Sequence, residues 1–125
     1  CVRCALKCLR NNEALFLQID LNVISGGVYV DFFGYQVPTY IGPVVFAQRT
    51  GAPILPIFSV RESRDRHRVF LEAPVELIKT GNRDEHLRAN TALITKIIEG
   101  HIRCFPEEWW WLHRRWRKAK KKEEL

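Results

Sequence analysis

All four tryptophans of this 125-residue chain fall within eight positions, in the stretch Pro106-Glu107-Glu108-Trp109-Trp110-Trp111-Leu112-His113-Arg114-Arg115-Trp116-Arg117. Arginine binds two oxygens of one phosphate at once, and an indole ring settles where water meets an apolar phase. Together they suit the surface of a phosphorylated lipid or a membrane headgroup layer. The same residues also fit a plainer role, in which Trp109 or Trp111 fills the core and the basic residues, including the lysine run 118–122, form a solvated face.

A second pattern is His67 and Glu72, spaced H-x-x-x-x-E, as in a dyad whose histidine deprotonates a hydroxyl while the carboxylate holds its tautomer. They fall in a segment that reads as a strand, where residues five apart point to opposite faces, so the pair is rejected as a dyad. His86 and His101 ride on a long helical pattern, and His113 has no acid at dyad spacing. No activated nucleophile or glycine-rich phosphate loop appears. No cofactor is implied and no catalytic residue is assigned.

Cys1, Cys4 and Cys8 with a histidine could offer soft ligands to zinc. Steps of three and four also place them on one helix face, where cysteine behaves as a small buried hydrophobe; that reading is preferred, and no metal is assigned. With Cys104 the fourth, they do not make the paired framework of a secreted domain, which fits a reducing compartment.

The elements that must position these residues follow from pattern. Residues 1–12 read as an amphipathic helix with Cys1, Cys4, Cys8 and Ala5 inward. The apolar run 14–19 reads as a strand buried on both faces, ending at Asp20, where open sheets place ligands. Residues 28–33 form the next strand, stopped at Gly34, and 35–42 a loop. Pro43 opens a short helix closed at Gly51, so residues 39–42 lie at a helix N-terminus, a natural anion site. Residues 54–60 and 68–73 form strands that can pair as a hairpin about a charged turn at 61–66. A helix then runs from Arg83 to Cys104, with Leu87, Thr91, Ile94, Ile98 and Ile102 on one stripe. This alternation is that of an α/β sandwich.

The length allows one domain, and 46% hydrophobic with 27% charged residues excludes a disordered chain. Methionine is absent, which makes a fragment the expectation. A lipoprotein cleaved before Cys1 would begin in the same way, but residues 2–10 read as a helix entering a fold. No window reaches the roughly 18 apolar residues a spanning helix needs. The charge is lopsided: residues 113–125 hold seven Arg/Lys and two Glu, and residues 1–112 hold thirteen Arg/Lys and twelve acids. A nearly neutral body without a basic groove argues against nucleic acid as a partner.

The segments Gly27-Val28-Tyr29-Val30-Asp31-Phe32-Phe33-Gly34-Tyr35-Gln36-Val37-Pro38-Thr39-Tyr40-Ile41-Gly42-Pro43 and Ala47-Gln48-Arg49-Thr50-Gly51-Ala52-Pro53-Ile54-Leu55-Pro56, followed by the terminal block 106–117, resemble the lauroyl/myristoyl acyltransferases of lipid A biosynthesis. The resemblance runs from about Leu6 to Arg117. It implies a three-layer α/β sandwich with a mostly parallel central sheet flanked by helices. Here residues 1–117 would be the C-terminal part of a single acyltransferase domain and 118–125 a basic, disordered tail.

The resemblance further implies transfer of an acyl chain from acyl carrier protein to a hydroxyl of a phosphorylated glycolipid, at the cytoplasmic face of the bacterial inner membrane. By this analogy Asp20 shapes the floor of the substrate site, and Phe33, Gly34, Thr39 and Gly42 border the acceptor or acyl groove. His113, Arg114 and Arg115 hold phosphate or pack structurally. The family's H-x-x-x-x-D/E dyad and membrane anchor lie upstream of anything in this chain, so the isolated chain is expected to lack transfer activity. The contrasting expectation is a noncatalytic module that binds anionic lipid or a partner, and a weaker third is a binder of anionic polymers.

Overall fold

The computed structural model describes residues 2–23 and 25–120. Readings that involve Cys1 and the last lysines of the tail lie outside the described residues. Helix α1 spans Val2–Arg10, β1 Gly27–Phe32, β2 Tyr35–Tyr40, α2 Gly42–Thr50, β3 Ile57–Ser63, β4 Arg66–Leu71 and α3 Arg83–Cys104, followed by a 3-10 turn at Pro106–Glu108.

The strands form two separate antiparallel pairs, β1 with β2 and β3 with β4. The expected three-layer sandwich with a mostly parallel sheet is therefore incorrect for this chain. Parallel neighbours need a crossover of a dozen or more residues, whereas here each pair is closed by two residues, Phe33-Gly34 in one and Arg64-Asp65 in the other. Two further expectations change with it. Residues 35–40, read as loop, form β2. The apolar run 14–19 is not a strand: half-buried 15, 17 and 19 alternate with exposed 14, 16 and 18, but no described backbone pairs with it. Asp20 thus does not sit at the end of a sheet strand.

The helices match their sequence signals closely. Gly42 opens α2 one residue before Pro43, and Gly51 closes it at φ 73°, its N–H donating to Ala47 O at 2.8 Å. At the start of α3 the Asn82 side chain accepts the Glu85 N–H at 2.8 Å and donates back to the Glu85 carboxylate at 3.3 Å, satisfying donors the first turn leaves open. The stripe of α3 buries Leu87, Thr91, Ile94 and Ile102, with Ile98 half-buried. In α1 the expected inward cysteine face is corrected: Cys4 is exposed and Cys8 half-buried, and the helix buries no residue fully.

Two apolar clusters line α3. One gathers Phe32, Val37 and Ile102 with Phe33, Trp109 and Trp116; the other gathers Val44, Leu87 and Ile94 with Ile19, Ile54 and Val75. Ile98 touches both and joins them into one core. Loop 74–80 is fastened to α3 by fully buried Asn90, whose amide accepts the Ile78 N–H at 2.7 Å and donates to Ile78 O at 3.0 Å. The chain after α3 returns across the β1–β2 hairpin, where Gln36 and Lys120 exchange two backbone hydrogen bonds, at 3.1 and 2.9 Å.

Candidate functional site

The turn Phe33-Gly34 needs positive φ at both positions, which two-residue hairpins favour because it matches strand twist. Gly34 takes φ 83° freely, but Phe33 is held at φ 54°, a conformation costing about 1–2 kcal/mol for a residue with a side chain. Its surroundings over-determine it. The Phe33 N–H donates to the carboxylate of buried Glu99 at 3.0 Å, and the Gly34 N–H donates to Asp31 Oδ1 at 3.2 Å. The Arg103 guanidinium lies 4.6 Å over the Phe33 ring, while that ring meets Phe32 edge-on at 4.8 Å.

Glu99 is itself bound by Arg103 at 2.8 and 3.1 Å and by Lys96 at 3.5 Å. Burial pushes its carboxyl upward, but the Phe33 N–H and the two cations outweigh that and hold it below the usual carboxylate range. Glu99 was not singled out from sequence. The signal was present, since a carboxylate beside Ile98 and Ile102 stands at the edge of a stripe that is otherwise inward-facing.

The terminal block closes onto the segment 20–22 and the hairpin. Trp109 Nε1 donates to Asp20 Oδ2 at 3.0 Å, Arg115 Nη1 donates to Leu21 O at 3.2 Å, and the Asn22 N–H donates to His113 Nε2 at 3.5 Å. Arg115 also donates to Pro38 O and Thr39 Oγ1, each at 2.6 Å, and lies 5.3 Å over the Phe32 ring. Only 1% of Arg115 is exposed. Burial pushes its guanidinium down to about 10 and the nearby Asp20 opposes this, so it stays a cation at neutral pH.

Asp20, Thr39 and Arg115 therefore meet at one centre, with Phe33 beside it through Phe32. Gly34 lies exposed at the turn tip, and Gly42 lies under the Tyr40 ring, which occupies the space a Cβ would need. His113 is half-buried and Arg114 exposed. The buried guanidinium is committed to three protein acceptors, so of the two roles considered for Arg115 the packing one describes its contacts. Trp109, read from sequence as a possible core residue, packs on Phe32 and supplies the Asp20 contact.

His67 and Glu72 are both exposed, on and just after β4. His101 stacks on Phe58 at 3.9 Å, and burial lowers its pKa against the field of Glu72. Among the described residues no group of three His, Cys, Asp or Glu is placed to hold a metal ion. No helix among them is long and apolar enough to cross a membrane.

Residues 2–118 match the family described as bacterial lipid A biosynthesis acyltransferase. The chain is 31% identical over 112 residues to the lipid A biosynthesis palmitoleoyltransferase of Escherichia coli K12, covering 87% of this chain and 35% of that protein. It is 30% identical over 108 residues to the phosphatidylinositol mannoside acyltransferase of Mycobacterium tuberculosis H37Rv, covering 86% of this chain and 32% of that protein. The chain thus spans about a third of the length of the curated relatives it matches. By the match over residues 2–118, which takes in the hairpin, Asp20 and the terminal block packed upon them, the chain belongs to the bacterial lipid A biosynthesis acyltransferase family.

Proposed function

We propose that this chain forms the acceptor-side wall of an acyltransferase that moves a fatty acyl group from acyl carrier protein to a hydroxyl of a phosphorylated glycolipid. The reaction takes place at the cytoplasmic face of the bacterial inner membrane. The observation that carries the reading is the convergence of three segments far apart in sequence around the buried Arg115: Asp20, Thr39 of the hairpin motif and Arg115 of the terminal block. Convergence of residues this far apart is expected where a segment must hold one fixed surface for substrate.

In this reading the centre is a frame. Arg115 and Trp109 lock the segment 20–22 against β2, and the strained Phe33-Gly34 turn is held rigid beside it. Exposed Arg114 then faces outward from the same block and is the group placed to meet phosphate, while His113 packs inward with its Nε2 accepting the Asn22 N–H. The general base is a histidine of an H-x-x-x-x-D/E dyad outside these 125 residues, so the chain alone carries no transfer activity.

The test is a transfer assay with acyl carrier protein charged with a radiolabelled fatty acyl group and a phosphorylated glycolipid acceptor. It compares the chain alone with the same chain joined to a dyad-bearing N-terminal portion of a family member. Labelled product only from the joined protein supports the reading. Its absence from both, with the joined protein folded, overturns it in favour of a noncatalytic lipid-binding module.

A further inference from the structure

The four tryptophans divide into two kinds. Trp109 and Trp116 pack on Phe32, with ring centroids at 5.8 and 5.5 Å, and belong to the core. Trp111 is exposed, at 48%, but is tied back, its ring stacked on Trp116 at 6.1 Å and its indole N–H donated to Pro106 O at 2.5 Å. Trp110 and Leu112 are different: 66% and 85% of their surface is exposed. Backbone bonds from Trp111 N–H to Trp109 O and from His113 N–H to Trp110 O form a tight turn that presents them outward. Exposed Arg114 and Arg117 follow within five positions.

Leaving a tryptophan and a leucine in water costs the free energy that burial of each would return, and the hydrogen-bonded turn holds them on the outside. Exposed Glu107 and Glu108 precede the turn, and the cations that follow it select the partner. Apolar tips beside arginines complement an anionic phospholipid layer, with rings at headgroup level and guanidiniums on phosphate. We infer that Trp110 and Leu112 form a wedge that inserts into the interface of an anionic bilayer, anchored by Arg114 and Arg117. This deepens the membrane-surface part of the function proposed above by naming the element that makes contact.

The experiment is co-sedimentation of the chain with vesicles of phosphatidylethanolamine and phosphatidylglycerol, and with vesicles of phosphatidylcholine alone. Folding of each variant is checked by circular dichroism. The wild type binds the anionic vesicles, Trp110→Ser with Leu112→Ser weakens binding about tenfold or more, and Arg114→Gln with Arg117→Gln removes the preference for anionic lipid. Equal binding by wild type and the Ser/Ser variant, or no binding to either vesicle, overturns the inference and leaves the wedge to a protein partner. Vesicle binding is read without acyl transfer, so this inference and the proposed activity fail separately.

Discussion

Arg115 and Thr39 lie 76 residues apart and are joined by a buried 2.6 Å hydrogen bond from the guanidinium to the hydroxyl, which ties the terminal block 106–117 to the β1–β2 hairpin. The same guanidinium holds Pro38 O and Leu21 O, so one side chain fixes three segments. Arg115→Ala leaves three acceptors and a cavity behind, and the expected loss is about 3–5 kcal/mol. Arg115→Lys keeps the charge without the fork and is expected to lose about 2 kcal/mol. Urea denaturation followed by circular dichroism measures both, and a loss under about 0.5 kcal/mol for Arg115→Ala would remove Arg115 from the centre.

Glu99 makes stability depend on acid. Its folded pKa lies below the ordinary value of 4.5, so its contribution is fully present above that value and is lost as pH falls through the folded one. Glu99→Gln is expected to be less stable than wild type at pH 7 and to show a shallower loss between pH 5 and pH 3, values about the ordinary carboxylate range. Parallel acid limbs in urea midpoints against pH would contradict this.

At Phe33 two effects oppose each other. Glycine would relieve about 1 kcal/mol of positive-φ strain, but a half-buried ring that meets Phe32, Trp116 and Arg103 is worth about 2–3 kcal/mol. Phe33→Gly is therefore expected to destabilise by about 1–2 kcal/mol. A variant more stable than wild type in thermal melting would mean the ring contacts contribute little.

Asn90→Ala removes both bonds to Ile78, along with a bond to His86 O at 2.9 Å, and leaves a cavity where no surface was exposed. The expected cost is about 1–3 kcal/mol, with faster amide exchange at Ile78 as the local signature. Unchanged exchange there would show that Asn90 does not fasten the loop.

The outer face of the β3–β4 hairpin carries Ile57, Val69 and Leu71, the last two more than 60% exposed. The isolated chain is expected to self-associate through this face at micromolar concentration, and Val69→Lys with Leu71→Thr to reduce light scattering with little change in melting temperature. A cooperative, monomeric wild type would refute it.

Local chemistry was legible wherever one residue settles the outcome. Gly51 ends α2, Asn82 starts α3 and Pro106 follows its end, because caps and stops act within a turn of the chain; the 3.6-residue stripe of α3 emerged for the same reason. Gly34 reads in the sequence only as a strand stop. That residues 35–40 return as a strand depends on Phe33 accepting positive φ, and Glu99, 66 residues away, is what holds it there.

The sequence by itself determined the family, through motifs spread from the hairpin to the terminal block, and it determined the helices and the strand content of 28–32, 57–60 and 68–71. Tertiary structure decided the pairing of β1 with β2, whereas the β3–β4 hairpin is the one expected from its charged turn. An apolar run such as 14–19 carries strand propensity but becomes a strand only if another edge is free to pair with it, and in this chain the close turns direct each strand back on its neighbour. Tertiary structure also decided which arginine is buried and which tryptophan faces outward. Arg114 and Arg115, like Trp109 and Trp110, are adjacent and chemically equal in sequence, and are separated only by which of them the fold of residues 20–22 and 37–39 can surround.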